Sequence, residues 1–285
     1  MKKPWSKKKK IIVGVVAVLV IFGLASGGSD DDTQQADTQP EEIVSQEEGA
    51  EEYSLNFNPE ITVNNTESSI DVSFDVDCPD GTILSISAVS ADMSEVYGEE
   101  VPVKDRKASA SFPLEDTTTR EFIVACGLFF NNEEIVQPEA TKALYGEKGE
   151  NLEGENSVEA PHKDGTTGRN GAKTFIVGFP SDEAVFAEKK KIFDEYVNTV
   201  VENSNGAILD IQDKGEGQFW IIVSNTWYLF SEEEKQYFAE EMSSAITTIG
   251  QSMYGSDEYI GLFIYDENMN ELAAPGLTGG MKVKR

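Results

Sequence analysis

The sequence predicts a chain with one amino-terminal transmembrane helix, then an all-β domain, then a small α+β domain. Three observations carry that expectation. An uncharged run of 18 residues, 11–28, follows a block of lysines. Between Tyr53 and Tyr145 apolar residues recur at period two, the mark of strands with one face buried. Beyond Thr174 the pattern alternates between strand and helix periods. Of 285 residues, 39% are hydrophobic and 26% charged, which suits globular domains and not a polytopic membrane protein.

Residues 1–10 contain Lys2, Lys3, Lys7, Lys8, Lys9 and Lys10 and no acid. Ile11 to Gly28 is long enough to cross a bilayer, which takes ~17–25 residues as a helix. The lysines hold the tail on the cytoplasmic side by the positive-inside rule. The expected order is a cytoplasmic basic tail over 1–10 and a single-pass signal anchor over 11–28, whose partner is the lipid bilayer. Everything later lies outside the cell. Ala25-Ser26-Gly27 also suits signal peptidase, so secretion after cleavage is the alternative. Leu24-Ala25-Ser26 resembles the front of a lipobox, but Gly27 stands where lipidation needs cysteine. Residues 29–52 hold ten acids and no Lys, Arg or aromatic residue, and are expected to form a disordered acidic stalk.

The chain carries 23 Lys and Arg against 52 Asp and Glu, a net of −29. Without the six tail lysines, 17 basic groups face 52 acidic ones, so the exported part stands at −35. That balance argues against nucleic acid as a partner, because phosphate neutralisation needs clustered cations. One histidine and two cysteines leave little for zinc, a Cys–His nucleophile or a Ser–His–Asp triad. No cofactor and no metal site is expected.

The β domain is expected over 53–146. Ile70, Val72, Phe74 and Val76 alternate with polar residues, and Pro79-Asp80-Gly81 turns the chain into Leu84, Ile86 and Ala88. Ala108, Ala110 and Phe112 form a further strand, as do Phe122, Val124, Cys126, Leu128 and Phe130. Asn131-Asn132 is expected to turn that strand back into Glu134–Gln137. About seven short strands without a helical period suggest an antiparallel sandwich of immunoglobulin-like type. Cys78 and Cys126 fall in phase with inward faces. Either they form an inter-sheet disulfide, which export would permit, or they are two free buried thiols.

Residues 147–171 are rich in Gly, Glu and Asn and read as a flexible linker, with His162 as a solvated side chain within it. The α+β domain is expected over 172–285. Thr174–Phe179 reads as a strand, and Ser181 caps a helix bearing Phe186, Phe193, Val197 and Val200. Ala207–Gln212 and Gln218–Ser224 form a hairpin across Asp213–Gly217. Ser231-Glu232-Glu233-Glu234 is a capping box opening a helix with Phe238, Met242, Ala245, Ile249 and Met253 on one stripe. Glu258–Tyr265 is a strand, turned by Asp266–Asn270 into Leu272-Ala273. The order β-α-β-β-α-β suggests a ferredoxin-like arrangement.

Trp220, Trp227 and Tyr228 are the densest aromatic group and the candidate binding residues. Trp220, between Phe219 and Ile221, is expected to pack under a helix. Asp75 to Gly81 and Asp266 to Asn270 look like calcium loops but lack the glycine and glutamate spacing, and read as turns. The lysine tail, single apolar helix, acidic stalk and two small modules resemble membrane-anchored extracytoplasmic proteins of Gram-positive bacteria. The local text carrying the likeness is Asn225-Thr226-Trp227-Tyr228-Leu229-Phe230-Ser231-Glu232-Glu233-Glu234-Lys235, with Tyr265-Asp266-Glu267 and Glu271-Leu272-Ala273. The expected function is a non-enzymatic, cell-surface-anchored binding or scaffolding protein, its partner an envelope protein or glycan. The alternatives are a component of a membrane-spanning assembly (secretion, conjugation or division) and an envelope hydrolase working through Asp and Glu alone.

Overall fold

A computed structural model of the chain describes residues 53–255, 258–276 and 279–284. The anchor expected over 11–28 and the stalk over 29–52 lie outside them. Among the described residues, no helix is long and apolar enough to cross a membrane. The structure is predominantly β, with three sheets and a few helices, and divides after Asp182 into two units.

The first unit holds β1 (Glu60–Val63), β2 (Ser69–Asp75), β3 (Ile83–Ser90), β4 (Val96–Pro102), β5 (Lys107–Pro113), β6 (Arg120–Leu128), α1 (Glu139–Tyr145), β7 (Ser157–Pro161) and β8 (Thr167–Phe179). These strands make a three-stranded sheet, β1-β2-β5, and a five-stranded sheet, β4-β3-β6-β8-β7, antiparallel throughout. Ile70, Val72 and Phe74 from one sheet and Leu84, Ile86, Phe122 and Val124 from the other enter a single buried cluster. The period-two pattern of β2 and β5 is realised directly: their apolar residues are buried and the residues between them are not. β4 and β7 are the edges of the larger sheet, carry Glu99, Glu100 and Glu159, and end on Pro102 and Pro161.

Three expectations are corrected here. Residues 147–171 are not a linker, because β7 and the first half of β8 pair from Ser157↔Gly171 to Pro161↔Thr167. Strand pairing uses backbone N–H and C=O groups, so this edge hairpin forms without an apolar repeat. Two glycines permit close approach: a Cβ on Gly168 would lie 2.1 Å from the Lys148 carbonyl oxygen, and one on Gly171 2.7 Å from the Phe57 ring. The strand ending at Phe179 does not open the second domain. It pairs with β6, Phe122 opposite Val177 and Val124 opposite Phe175, so the α+β unit begins at Glu183 and not at 172. Residues 134–137 form no strand. Instead the buried Gln137 side chain imitates one, its Oε1 accepting from Ile83 N at 3.0 Å and its Nε2 donating to the carbonyls of Ile83 (2.8 Å) and Phe129 (3.1 Å). The helix α1 follows, which the strand pattern did not anticipate, and it buries Tyr145.

The second unit runs α2 (Asp182–Asn203), β9 (Ile208–Asp213), β10 (Gln218–Val223), a 3-10 turn (Asn225–Leu229), α3 (Glu232–Tyr254), β11 (Gly261–Asp266), β12 (Glu271–Pro275) and β13 (Met281–Val283). Its sheet order is β13-β12-β11-β10-β9, with β10 and β11 parallel and the other pairs antiparallel. Without the strand that went to the first unit, the ferredoxin-like order is not met. The predicted hairpin and capping box are present: Ser231 Oγ accepts from Glu234 N, and Glu234 Oε2 accepts from Ser231 N at 2.7 Å. Along α3 the fully buried line is Ala239, Ile246, Gly250 and Met253, while Phe238, Met242 and Ile249 flank it. Gly250 belongs to that line because a Cβ there would lie 3.0 Å from the Phe219 ring.

A latch in the first unit joins the start of β6 to two neighbouring segments. Arg120 donates to Glu95 at 2.6 Å, to the Asp116 carboxylate at 3.0 Å and to the Asp116 carbonyl at 2.7 Å, with its guanidinium 5.2 Å over the Phe122 ring. Arg120 and Glu95 are both mostly buried. Arg120→Ala is expected to lower unfolding stability by about 1–3 kcal/mol, because Glu95 loses its partner in a place water reaches poorly. Urea denaturation of the two proteins measures the difference.

Candidate binding surface

The parallel pair β10/β11 is joined by α3, and both helices cover the same face of the sheet. Phe193 of α2 and Tyr254 of α3 lie 5.2 and 6.2 Å from the Phe219 ring. Along β10, Phe219, Ile221 and Val223 point to that covered face and are buried. Trp220 and Ile222 therefore point the other way. Trp220 is half-buried on the face without helices, 4.9 Å from the Tyr265 ring and with Lys214 Nζ 4.4 Å over it. The expectation that Trp220 packs under a helix is corrected: alternation along the strand puts it opposite Phe219.

Trp227 and Tyr228 part company in the 3-10 turn that follows β10. Ser224 Oγ accepts from Thr226 N and starts the turn. Trp227 turns inward, 3% exposed, edge-on to Phe238 at 5.9 Å. Tyr228 turns outward and is 53% exposed. The three predicted aromatic residues thus occupy three places, a sheet face, a core and a surface, and form no single platform.

The structure adds a buried carboxylate, Asp266, at the start of the turn expected over Asp266–Asn270. Tyr228 Oη donates to Asp266 Oδ2 at 2.7 Å. The backbone N–H groups of Asn268 and Asn270 donate to Oδ1 at 2.9 and 2.8 Å, and Asn270 Nδ2 donates to Oδ2 at 2.8 Å. These bonds, led by those from Asn270, bring the Asp266 carboxyl down to about 2. Asp266 so ties the surface turn at the carboxyl end of β10 to the carboxyl end of its parallel neighbour β11.

The chain continues from this turn into an open groove of about 450 Å³, lined by Phe230, Glu233, Glu234, Tyr237 and Phe238. Phe238 is anchored from below by Trp227. Tyr237 in the lining and Leu229, which precedes Phe230 in the chain, are 67% and 84% exposed. Glu234 is committed to the capping box, and those bonds lower its carboxyl below the ordinary value. The Glu233 carboxylate makes no hydrogen bond or ion pair among the described residues. The signal in the sequence was Tyr228-Leu229-Phe230, an apolar run just outside the capping box, together with Tyr237, which falls off the apolar stripe of α3.

The other singled-out residues have structural partners. Asp75 pairs with Lys107, and Asp77 pairs with Arg106 at 3.0 Å and accepts from Ser54 N at 2.9 Å, so the stretch to Gly81 does not gather its acids. Among the described residues no group of His, Cys, Asp and Glu is placed to hold a metal ion. His162 is not a solvated linker residue. It is half-buried after β7, its N–H bonded to the Thr166 carbonyl at 2.9 Å. Cys78 and Cys126 are free thiols buried in one core. Burial pushes the Cys78 thiol up to about 11 against the opposing effect of Tyr145, whose hydroxyl lies 3.4 Å from Sγ, and burial raises Cys126 as well.

Two outcomes follow from these environments. A carboxyl held at about 2 against an ordinary 3.8 favours the folded state above the ordinary value, and that contribution is lost as pH falls through about 2. Asp266→Asn should therefore melt at a lower temperature near neutral pH and lose less on acidification from about pH 4 to about pH 2; equal acid limbs for the two proteins would contradict this. Buried thiols with raised pKa values react slowly, so native protein should resist iodoacetamide while denatured, unreduced protein takes up label at both cysteines. Two sites that label only after reduction would show a disulfide instead. No protein-family model, curated protein or solved structure matches this chain.

Proposed function

We propose that this is a cell-surface-anchored extracytoplasmic binding or scaffolding protein, like the membrane-anchored extracytoplasmic proteins of Gram-positive bacteria that it resembles. The observation that carries the reading is the partition of charge along the chain. Six lysines precede 18 uncharged residues, and the remaining 257 positions stand at a net of −35. A membrane with a cytoplasmic lysine tail and an acidic exterior accounts for that division. The first unit is read as an immunoglobulin-like sandwich. Lettered in chain order, its small sheet follows A-B-E and its larger one C′-C-F-G with one added hairpin strand, which supports the reading.

Binding is favoured over catalysis at the groove by the commitment of Glu234 to the helix cap. An Asp/Glu hydrolase needs one carboxyl raised to act as a proton donor beside a second that is ionised. Glu234 is instead lowered by its cap. Three aromatic side chains beside carboxylates form a recognition surface, for an envelope protein or glycan.

The test is to fractionate cells expressing the full chain with a carboxyl-terminal tag and to determine the mature mass. The expected result is the intact mass in the membrane fraction, with the tag removed by protease added outside intact cells. A tag protected from that protease overturns the surface reading. A product beginning near Gly28 in the medium replaces the anchored protein by a secreted one.

A further inference from the structure

We infer that the groove at the amino-terminal end of α3 receives a cationic amphipathic segment of a partner protein, an apolar side chain entering between Phe230, Tyr237 and Phe238 and a Lys or Arg beside it meeting Glu233. The inference rests on the surface-binding reading and names the chemistry of the partner.

The apolar part of the site is built in advance. Phe238, one of its lining residues, packs edge-on against the buried Trp227. The preceding turn is fixed at one end by Ser224 and, through Tyr228, by Asp266, and Phe230 N donates to the Trp227 carbonyl at 3.2 Å. Leu229 and Tyr237 then stand out into solvent at 84% and 67% exposure. A preformed apolar surface loses little conformational entropy when it is covered, which is the condition under which a small contact area binds well.

Charge selects the occupant. The groove is lined by two carboxylates and no cation. Lys235, the basic residue nearest the groove in sequence, is mostly buried and lies 3.7 Å from Glu232. Glu234 serves the helix cap, which leaves Glu233 as the carboxylate without a partner among the described residues. Residues 183–285 carry 18 acidic and 8 basic side chains, so the surroundings repeat the sign of the groove. An anionic lipid surface or an acidic peptide would be repelled. A Lys or Arg stem suits the site twice, since its methylenes cover the aromatic rings while its charge meets Glu233. A saccharide would need several hydrogen-bond donors as well as acceptors, and the groove's lining side chains supply one, the Tyr237 hydroxyl, beside two carboxylates.

The experiment uses the full chain in detergent and a dye-labelled synthetic peptide with leucines and lysines at helical spacing, read by fluorescence anisotropy. The expected result is saturable binding that weakens about tenfold or more with Tyr237→Ser and with Glu233→Lys. Glu195→Lys on the exposed side of α2, which makes the same change in net charge away from the groove, should leave it within about twofold. Thermal melts establish that each variant is folded, and Tyr237→Ser carries the test alone if the charge reversal disturbs the cap. Equal binding of a peptide with glutamates in place of the lysines would overturn the charge argument. Displacement by a chitin oligosaccharide would assign the groove to a glycan. Self-association that rises with protein concentration and falls with Tyr237→Ser would assign it to a second copy. Loss of binding with Glu195→Lys equal to that with Glu233→Lys would reduce the effect to net charge. A chain displayed at the cell surface that ignores the peptide overturns the docking site and leaves the surface reading standing; a chain protected inside the cell that binds it does the reverse.

Discussion

Pairing between β6 and β8 is the constraint on which the first unit depends. It runs over nine residue pairs, from Arg120↔Phe179 to Leu128↔Gly171, and makes β6 the strand shared by the oldest and newest parts of the sheet in chain order. Phe122, Val124, Val177 and Phe179 all face inward along it, and full burial of such side chains is worth about 1.5–3 kcal/mol each. Closing the ladder requires the 42 residues between Leu128 and Gly171 to fold back compactly. Tyr145 anchors that return, its hydroxyl 3.2 Å from the carbonyl oxygens of both Ser54 and Asp77. The excursion from β6 to β8 is thereby stitched to the start of the domain.

What could be read in advance, and what could not, follows from which atoms do the work. β2 and β5 were legible because one face of each is buried and side-chain period reports burial. The capping box was legible because its hydrogen bonds involve side chains at fixed spacing. β7 and the first half of β8 were not, since backbone groups hold them and the two stretches, Ser157–Pro161 and 167–171, offer only Val158, Ala160 and Pro161 as apolar side chains. Ownership of Thr174–Phe179 was equally hidden. An alternating strand buries Phe175, Val177 and Phe179 in the same way whichever sheet accepts it. Gln137 is the converse case, a side chain standing in for a strand that the pattern suggested.

At the candidate surface the sequence grouped residues that the structure separates. Three aromatic residues close in the chain were expected to act together, but strand alternation and a single 3-10 turn send Trp220, Trp227 and Tyr228 in different directions. Trp227 contributes from below, by holding Phe238. Asp266 contributes from the side, and its role depends on a turn 38 residues beyond Tyr228, a contact that no local pattern contains. The groove is therefore assembled from a surface turn, a helix start and a hidden tie to the next strand, each stabilised for its own local reason.

β4 and β7 leave unpaired backbone groups that an adjacent molecule's strand could extend, and they present Glu99, Glu100 and Glu159 with a proline closing each. Like charges facing one another and a missing N–H both oppose such extension. Where many copies stand shoulder to shoulder, these margins act as bumpers: neighbouring molecules can crowd without fusing into a continuous sheet.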